Sequence, residues 1–442
     1  MPDAVGLDQH EPTSLWGIAK RARACKAHRF QDLYRLLDAN LLLDAWGDLN
    51  KRAASGVDQV TAQAYEQDLM ANIQGLVERL KAKRYRARLV RRCYIPKDNG
   101  QERPLGIPAL EDRLVQSGCA RILNAIYEQD FLPVSYGYRP GRGAKDAVCD
   151  LGFNLQYGKF GHVVEADIKG FFDNLDHAWL LEMLSLRIDD KAFLSLIRQW
   201  LTAGILDTDG QILHPVTGTP QGGIVSPILA NVYLHHVLDL WFERVVKPRC
   251  GGQAVLIRYA DDYVCAFQYR RDADRFYRAM PQRLQKFSLT VAREKTRILR
   301  FSRFHPGLRR RFAFLGFELY WARDRRGDLR VMKRTARKKL QQAKRRMSAW
   351  VKANRHLPGR EFIRDLNRKL VGHYNYFGLR SNEKALHSFY GHVIGCAFKW
   401  LNRRGGKRSS FNWGQFKAAL KQLHVPFPRI VERQRQHVVF AA

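Results

Sequence analysis

An α+β fold is what this sequence predicts, and three observations carry the prediction. Between residues 161 and 321, short apolar strand-like runs alternate with amphipathic helical stretches, the pattern of helices layered behind a sheet. Residues 1–83 place apolar side chains at helical spacing, and the chain from about residue 322 onward reads as helical and heavily basic. The 45% hydrophobic content is that of a chain with a real core.

Taken in order, Phe30, Leu33, Leu36 and Leu37, then Leu69, Ile73, Leu76 and Leu80, recur at helical spacing, with Ser55-Gly56-Val57-Asp58 as a turn between them. From residue 84 to about 160 the texture changes to strand and loop: Arg88 to Ile95 carries β-favouring runs, and Pro96 to Gly100 supplies hairpin-turn residues. Strands are expected at His162 to Ile168, Val255 to Tyr259 and Tyr263 to Phe267, with an apolar helix from Ile228 through Leu240. Leu329 to Arg360 holds twelve basic residues and no acidic one. With no internal repeat or extended linker visible, the domains are expected to pack closely.

Charge narrows the partner. The 76 Lys and Arg against 42 Asp and Glu give a net charge of +34. Such an excess says nothing about fold but favours a polyanion, and nucleic acid ahead of a membrane surface, because each neutralised phosphate releases counterions. Neither a long uncharged apolar run nor a secretory leader is present, so no membrane association or export is expected. Seven scattered cysteines without a C-x-x-C pair argue against a zinc module and for free thiols in a reducing compartment, the cytoplasm.

The chemistry lies in acids at strand ends. Tyr259-Ala260-Asp261-Asp262 sits between two apolar β-like runs and reads as a hairpin tip, which alone is no more than a solvated turn. In Glu165-Ala166-Asp167-Ile168-Lys169-Gly170-Phe171-Phe172-Asp173, a second apolar strand ends on Asp167, 94 residues before Asp261. If these strands are neighbours, three carboxylates converge and repel unless cations lie between them. Two magnesium ions about 4 Å apart suit that arrangement and phosphoryl transfer. Between the acids, Thr219-Pro220-Gln221-Gly222-Gly223 leads into a helix, where glycine allows close backbone approach and free N–H groups face an anion.

Strand Asp, then Pro-Gln-Gly, then Tyr-Ala-Asp-Asp resembles the palm of reverse transcriptases. From about Leu42 to Ile430 the chain is most similar to the bacterial group II intron-encoded reverse transcriptase/maturases. The resemblance implies a right-hand layout: a helical N-terminal extension (1–83), fingers (84–160), palm (161–321, with a fingers insertion near 180–215) and a helical thumb or domain X (322–442). It implies Asp167, Asp261, Asp262 and the Ile168 backbone as ligands of two Mg2+ ions, with Lys295 protonating the leaving pyrophosphate. Lys97, Arg103, Gln221, Phe172 and Ile168 would hold the incoming dNTP, Phe172 packing under its sugar to exclude a 2′-hydroxyl.

Arg139 and Arg142, with Tyr136 and Tyr138, would follow the template; Phe314 and Gly316 would form the primer grip. Arg334, Arg337, Lys338, Arg345, Tyr374 and Tyr376 would hold RNA. The implied partners are structured intron RNA, an RNA template with a DNA primer, and dNTPs. The C-terminus, twelve residues past Ile430 and without cysteine pairs, implies the subgroup lacking the endonuclease. A splicing factor with a dispensable polymerase and a host-adapted enzyme of DNA repair or phage defence stay open, as does the choice of monomer or homodimer.

Overall fold

The computed structural model describes residues 14–96, 100, 102–219, 222–307, 310–403 and 410–432. It is an α+β protein organised around one buried antiparallel sheet. The His162–Lys169 strand lies beside Asp262–Phe267, which pairs in turn with Ala254–Tyr259. On its other side the same strand pairs with Thr290–Val291 and Arg297–Arg300. Val163, Val164, Val255, Leu256, Ile257, Val264, Cys265, Ala266 and Phe267 are all buried. Both faces are covered, so the strands read as continuous apolar runs instead of alternating. The Arg270–Gln285 helix packs on this sheet, and the Ala144–Tyr157 helix meets its Ala254–Tyr259 edge.

Three expectations give way. Residues 84–160 are not mainly strand and loop: after the Val90–Pro96/Glu102–Ile107 hairpin come two helices, Leu110–Tyr127 and Ala144–Tyr157. Leu110–Tyr127 buries polar residues along with apolar ones, including Asp112, Arg113, Gln116 and Ser117, which blurs the stripe that betrays a surface helix. Asp112 earns its burial by accepting hydrogen bonds from the Tyr85 hydroxyl and, at 3.0 Å, from Arg88 N.

Phe30 to Leu37 is the second correction. Phe30 bridges Ile188, and only Tyr34–Leu36 makes a single 3-10 turn. The spacing reflects burial of Phe30, Leu33 and Leu37, not a helix. Third, the helical segment begins at Arg337, not near residue 322, because Arg311–Phe314, Phe317–Arg323 and Leu329–Thr335 form a three-stranded sheet.

Beyond that sheet, Arg337–Asn354, Gly359–Phe377, Glu383–Asn402 and Trp413–Gln422 enclose a second core of Val351, Phe362, Leu366, Leu370, Phe389 and Val393. The apolar helix after the Gly-Gly loop begins at Ser226 and continues past Leu234 through π-helical turns at His235–Asp239 and Phe242–Val246. Among the described residues no helix is long and apolar enough to cross a membrane, and all seven cysteines are free.

Candidate active site

The strand register sets the acids opposite one another. Asp167 and Asp262 are direct partners across the antiparallel pair. Tyr259 pairs with Asp262, so Ala260 and Asp261 form a two-residue turn at the tip. Ala260 takes φ +55°, a left-handed conformation that costs a non-glycine residue about 1–2 kcal/mol. Gly137 lies against this turn: a Cβ there would meet Ala260 N at 2.4 Å.

The cluster carries excess negative charge. Burial, then the nearby Asp167, Asp261 and Glu165, push the Asp262 carboxyl up to about 7. Burial, followed by Asp167, raises Asp261, while Arg103, Lys295 and its own backbone N–H pull the other way. The counter-charges are held at the rim. Lys295, in the Arg293–Lys295 turn, contacts Asp167 Oδ2, and Arg297 contacts Glu165. The turn is tied to the strand by Ala292 N donating to Asp167 O at 2.9 Å. Among the described residues no three His, Cys, Asp or Glu side chains are grouped so as to hold a metal ion. Half-buried carboxylates facing further carboxylates nonetheless make a donor set that suits hard divalent cations.

Ile168 is buried and pairs with Val291, next to Asp167. Phe172 follows in the Phe171–Asp173 turn, half-buried, edge-on to Phe171 at 5.3 Å and to Tyr138 at 6.3 Å. It borders a cavity of about 350 Å³ together with Arg92, Pro104, Asp173, Leu213 and Thr219. Arg103 stands exposed on the second strand of the hairpin, and its charge reaches Tyr138 and Asp261. At the other end of that strand, a Cβ on Gly222 would meet Gly106 O at 2.4 Å, so the Gly-Gly loop and the hairpin touch backbone to backbone. Lys97 and Gln221 lie outside the described residues.

Several expected nucleic-acid contacts are structural instead. The Arg139 guanidinium is buried, paired with Glu128 at 2.9 Å and donating to the Leu132 and Ser135 carbonyls. Tyr136 is buried with its hydroxyl on Asp150 at 2.7 Å. Arg142 lies over the Tyr136 ring and donates to Pro133 O at 2.8 Å. In this segment Tyr138 is the exposed aromatic, at 47%. Tyr374 is fully buried and donates to Pro426 O, so no base can stack on it. The Phe314 side chain is core; what its turn presents is backbone, with Leu315 and Gly316 both at positive φ.

Tyr376 donates to Leu315 O at 3.0 Å and stacks on Phe317. Burial, then the nearby Tyr259 and Asp262, raise its pKa. Arg334 is paired with Glu318 at 2.8 Å. Arg337, Lys338 and Arg345 stand exposed on the basic helix.

Sequence reasoning missed Arg258, fully buried one residue before Tyr259, and its partner Asp239. The available signal was a charge inside an otherwise apolar strand, which is rarely buried unless paired.

Residues 95–319, half of the chain, match the family described as reverse transcriptase (RNA-dependent DNA polymerase). The chain belongs to the reverse transcriptase family. This reverse transcriptase family member is 37% identical over 243 residues to the group II intron-encoded protein LtrA of Lactococcus lactis subsp. cremoris, a match covering 52% of the chain and 40% of LtrA. It is 32% identical over 309 residues to protein YkfC of Escherichia coli K12, covering 63% of the chain and 78% of YkfC. A weaker match, 24% over 144 residues, is to the mitochondrial nuclear intron maturase 4 of Arabidopsis thaliana, covering 32% of the chain and 17% of that protein. The match thus spans two-fifths of LtrA's length and about four-fifths of YkfC's.

Proposed function

We propose that the protein is an RNA-directed DNA polymerase that also binds a structured intron RNA and assists its splicing and mobility. The observation that carries the polymerase reading is the pairing of Asp167 with Asp262 across the strands, beside the Asp261 turn, in a pocket too anionic to stand uncompensated. In this reading the central sheet is the palm, the Val90–Pro96/Glu102–Ile107 hairpin belongs to the fingers, and the four C-terminal helices form the thumb.

Asp167, Asp261, Asp262 and the Ile168 backbone would hold two Mg2+ ions, which when bound supply charge neutralisation and activation of the primer hydroxyl. The chain's own residues do the rest. Arg103, within electrostatic reach of Asp261, offsets charge on the triphosphate as the α-phosphate is attacked. Lys97 and Gln221 complete the nucleotide contacts. Lys295 Nζ holds a proton at the acid cluster, placed to reach the departing pyrophosphate once Asp167 turns to its other duties. Phe172 forms a wall of the cavity and orients the sugar. The exposed face of the thumb, with Arg337, Lys338 and Arg345, binds RNA phosphates.

The test is primer extension by purified protein on an RNA template with magnesium and deoxynucleotides. Extension that Asp261→Ala abolishes is the expected result; no extension, or full extension by that variant, rejects the polymerase. The intron role rests on the likeness to LtrA. Splicing of a flanking intron RNA that survives Asp167→Ala would separate the two activities. At Phe172, replacement by Val widens the cavity and is expected to raise ribonucleotide incorporation by about 10-fold or more, the value of a few methylenes of steric exclusion. An unchanged ribo- to deoxynucleotide ratio counts against the assignment.

A further inference from the structure

Arg258 is a fully buried charge inside the central sheet, with a relative exposure of 0%. A guanidinium has five N–H donors, and here all five are used. Nε and Nη2 donate to the Asp239 carboxylate at 2.7 and 2.6 Å. Nη1 donates to Asn231 Oδ1 at 3.0 Å and to Ala260 O at 3.1 Å. The remaining Nη2 proton goes to Ser135 Oγ at 2.8 Å.

These partners come from three separate parts of the chain. Asn231 and Asp239 lie on the helix after the Gly-Gly loop, Ser135 on the segment before the Ala144–Tyr157 helix, and Ala260 in the turn itself. The surroundings close the node further. Asn231 Nδ2 donates to Gly137 O at 2.7 Å, and Gly137 is the residue that leaves room for Ala260 N. Main-chain bonds from Arg258 N to Val134 O and from Tyr136 N to Arg258 O, both 2.9 Å, bind the same strand to the same segment.

We propose that Arg258 is a positioning residue for the acid-bearing turn: from inside the core it fixes the Ala260 carbonyl, and with it the peptide plane from which Asp261 projects. The argument is geometric. A peptide group is rigid, so anchoring its oxygen fixes the direction of the Asp261 N–H at its other end. Ala260 sits at φ +55°, a conformation that an alanine keeps only when its surroundings impose it. Arg258 supplies that imposition without touching substrate, and Asp239 and Asn231 hold the fork in place. The inference rests on the polymerase reading.

Arg258→Lys keeps the charge but cannot reach Asp239, Ala260 and Ser135 together. Its expected signature is a fall in primer-extension kcat of about 10- to 100-fold, from turn misplacement, with dNTP KM and primer–template Kd within about threefold of wild type. A second variant separates positioning from mere stability. Arg258→Met with Asp239→Leu replaces the buried ion pair by apolar residues of similar volume, a change that often preserves or restores stability. If Arg258 positions the turn, this double variant melts near the wild type yet keeps the loss in kcat.

Recovery of kcat together with the melting temperature overturns the inference, as does an Arg258→Lys variant with wild-type kcat. Should both variants fail to fold, Ser135→Ala and Asn231→Ala each remove one strut. Each is then expected to lower kcat several-fold at unchanged primer–template Kd, and unchanged kcat in both overturns the inference. Wild-type protein that extends no primer removes the polymerase reading and the inference with it; a wild type that extends beside unaffected variants removes the inference alone.

Discussion

An Asp262→Asn variant is expected to lose primer extension by at least 10²–10³-fold while the metal-free protein becomes more stable above pH 7. The two effects share a cause. Burial and three neighbouring acids raise the Asp262 carboxyl from 3.8 to about 7. The folded state therefore holds this proton to a higher pH than the unfolded chain does, and stability falls as pH rises from about 4 to 7, then stays low. Three pH units correspond to about 4 kcal/mol, and roughly half of that at a site partly open to water. Asn carries no such charge.

Melting curves in EDTA should show variant and wild type together below about pH 4, the gap opening from there to pH 7 and the variant ahead by several degrees at pH 8. Millimolar Mg2+ should close the gap by raising the wild type alone. A variant that melts no higher than the wild type at pH 8 would contradict the charge frustration described for this site.

RNA affinity is expected to fall by about 10³-fold between 50 and 200 mM salt, the consequence of six or more phosphate contacts on a surface of this charge. Replacing Arg337, Lys338 and Arg345 together by Ala should lower the slope of log affinity against log salt by about three, close to one per side chain. Extension at saturating template should change little. Arg139→Ala is the contrasting case: its guanidinium is committed to Glu128 and two carbonyls, so the slope should stay as it is while the protein loses stability. A filter-binding titration across salt decides both, and a slope unmoved by the triple replacement would remove the basic helix from the RNA interface.

Three strands of the central sheet, His162–Lys169, Ala254–Tyr259 and Asp262–Phe267, were legible because they are apolar on both faces and have acids at their ends, whereas Thr290–Val291 and Arg297–Arg300 carry no such pattern. The pairing of Asp167 with Asp262 needed only the assumption that two such strands are neighbours. What stayed hidden was whatever depends on who covers whom. The Leu110–Tyr127 helix carries buried Asp112 and Gln116, whose partners Tyr85, Arg88 and Ile224 lie elsewhere in the chain, so no periodic stripe announces it.

Phe30 to Leu37 shows the converse, helical spacing produced by packing without a helix. Arg139, Tyr136 and Tyr374 looked like nucleic-acid contacts because type and neighbourhood suit RNA. Their side chains face Glu128, Asp150 and Pro426, which no local pattern reveals. Arg337, Lys338 and Arg345 do stand exposed, since an acid-free helix has few internal partners to turn toward.

The meeting of Gly222 with Gly106 limits how the nucleotide-side hairpin can bend. Its base is clamped twice: Val90 and Arg91 pair with Ile205 and Leu206, and Gly106 abuts a backbone that leaves no space for even a methyl group. Tyr94 adds a tether to Asp207 at 2.9 Å. Beyond Arg91 no rung has a third strand beside it among the described residues, and Ile95 with Arg103 and Pro96 with Glu102 lie past the Tyr94 tether as well. Flexure of this arm is thereby favoured outward of the Tyr94 rung, so Arg103 shifts with the outer rungs while the root stays in step with the loop at Gly222.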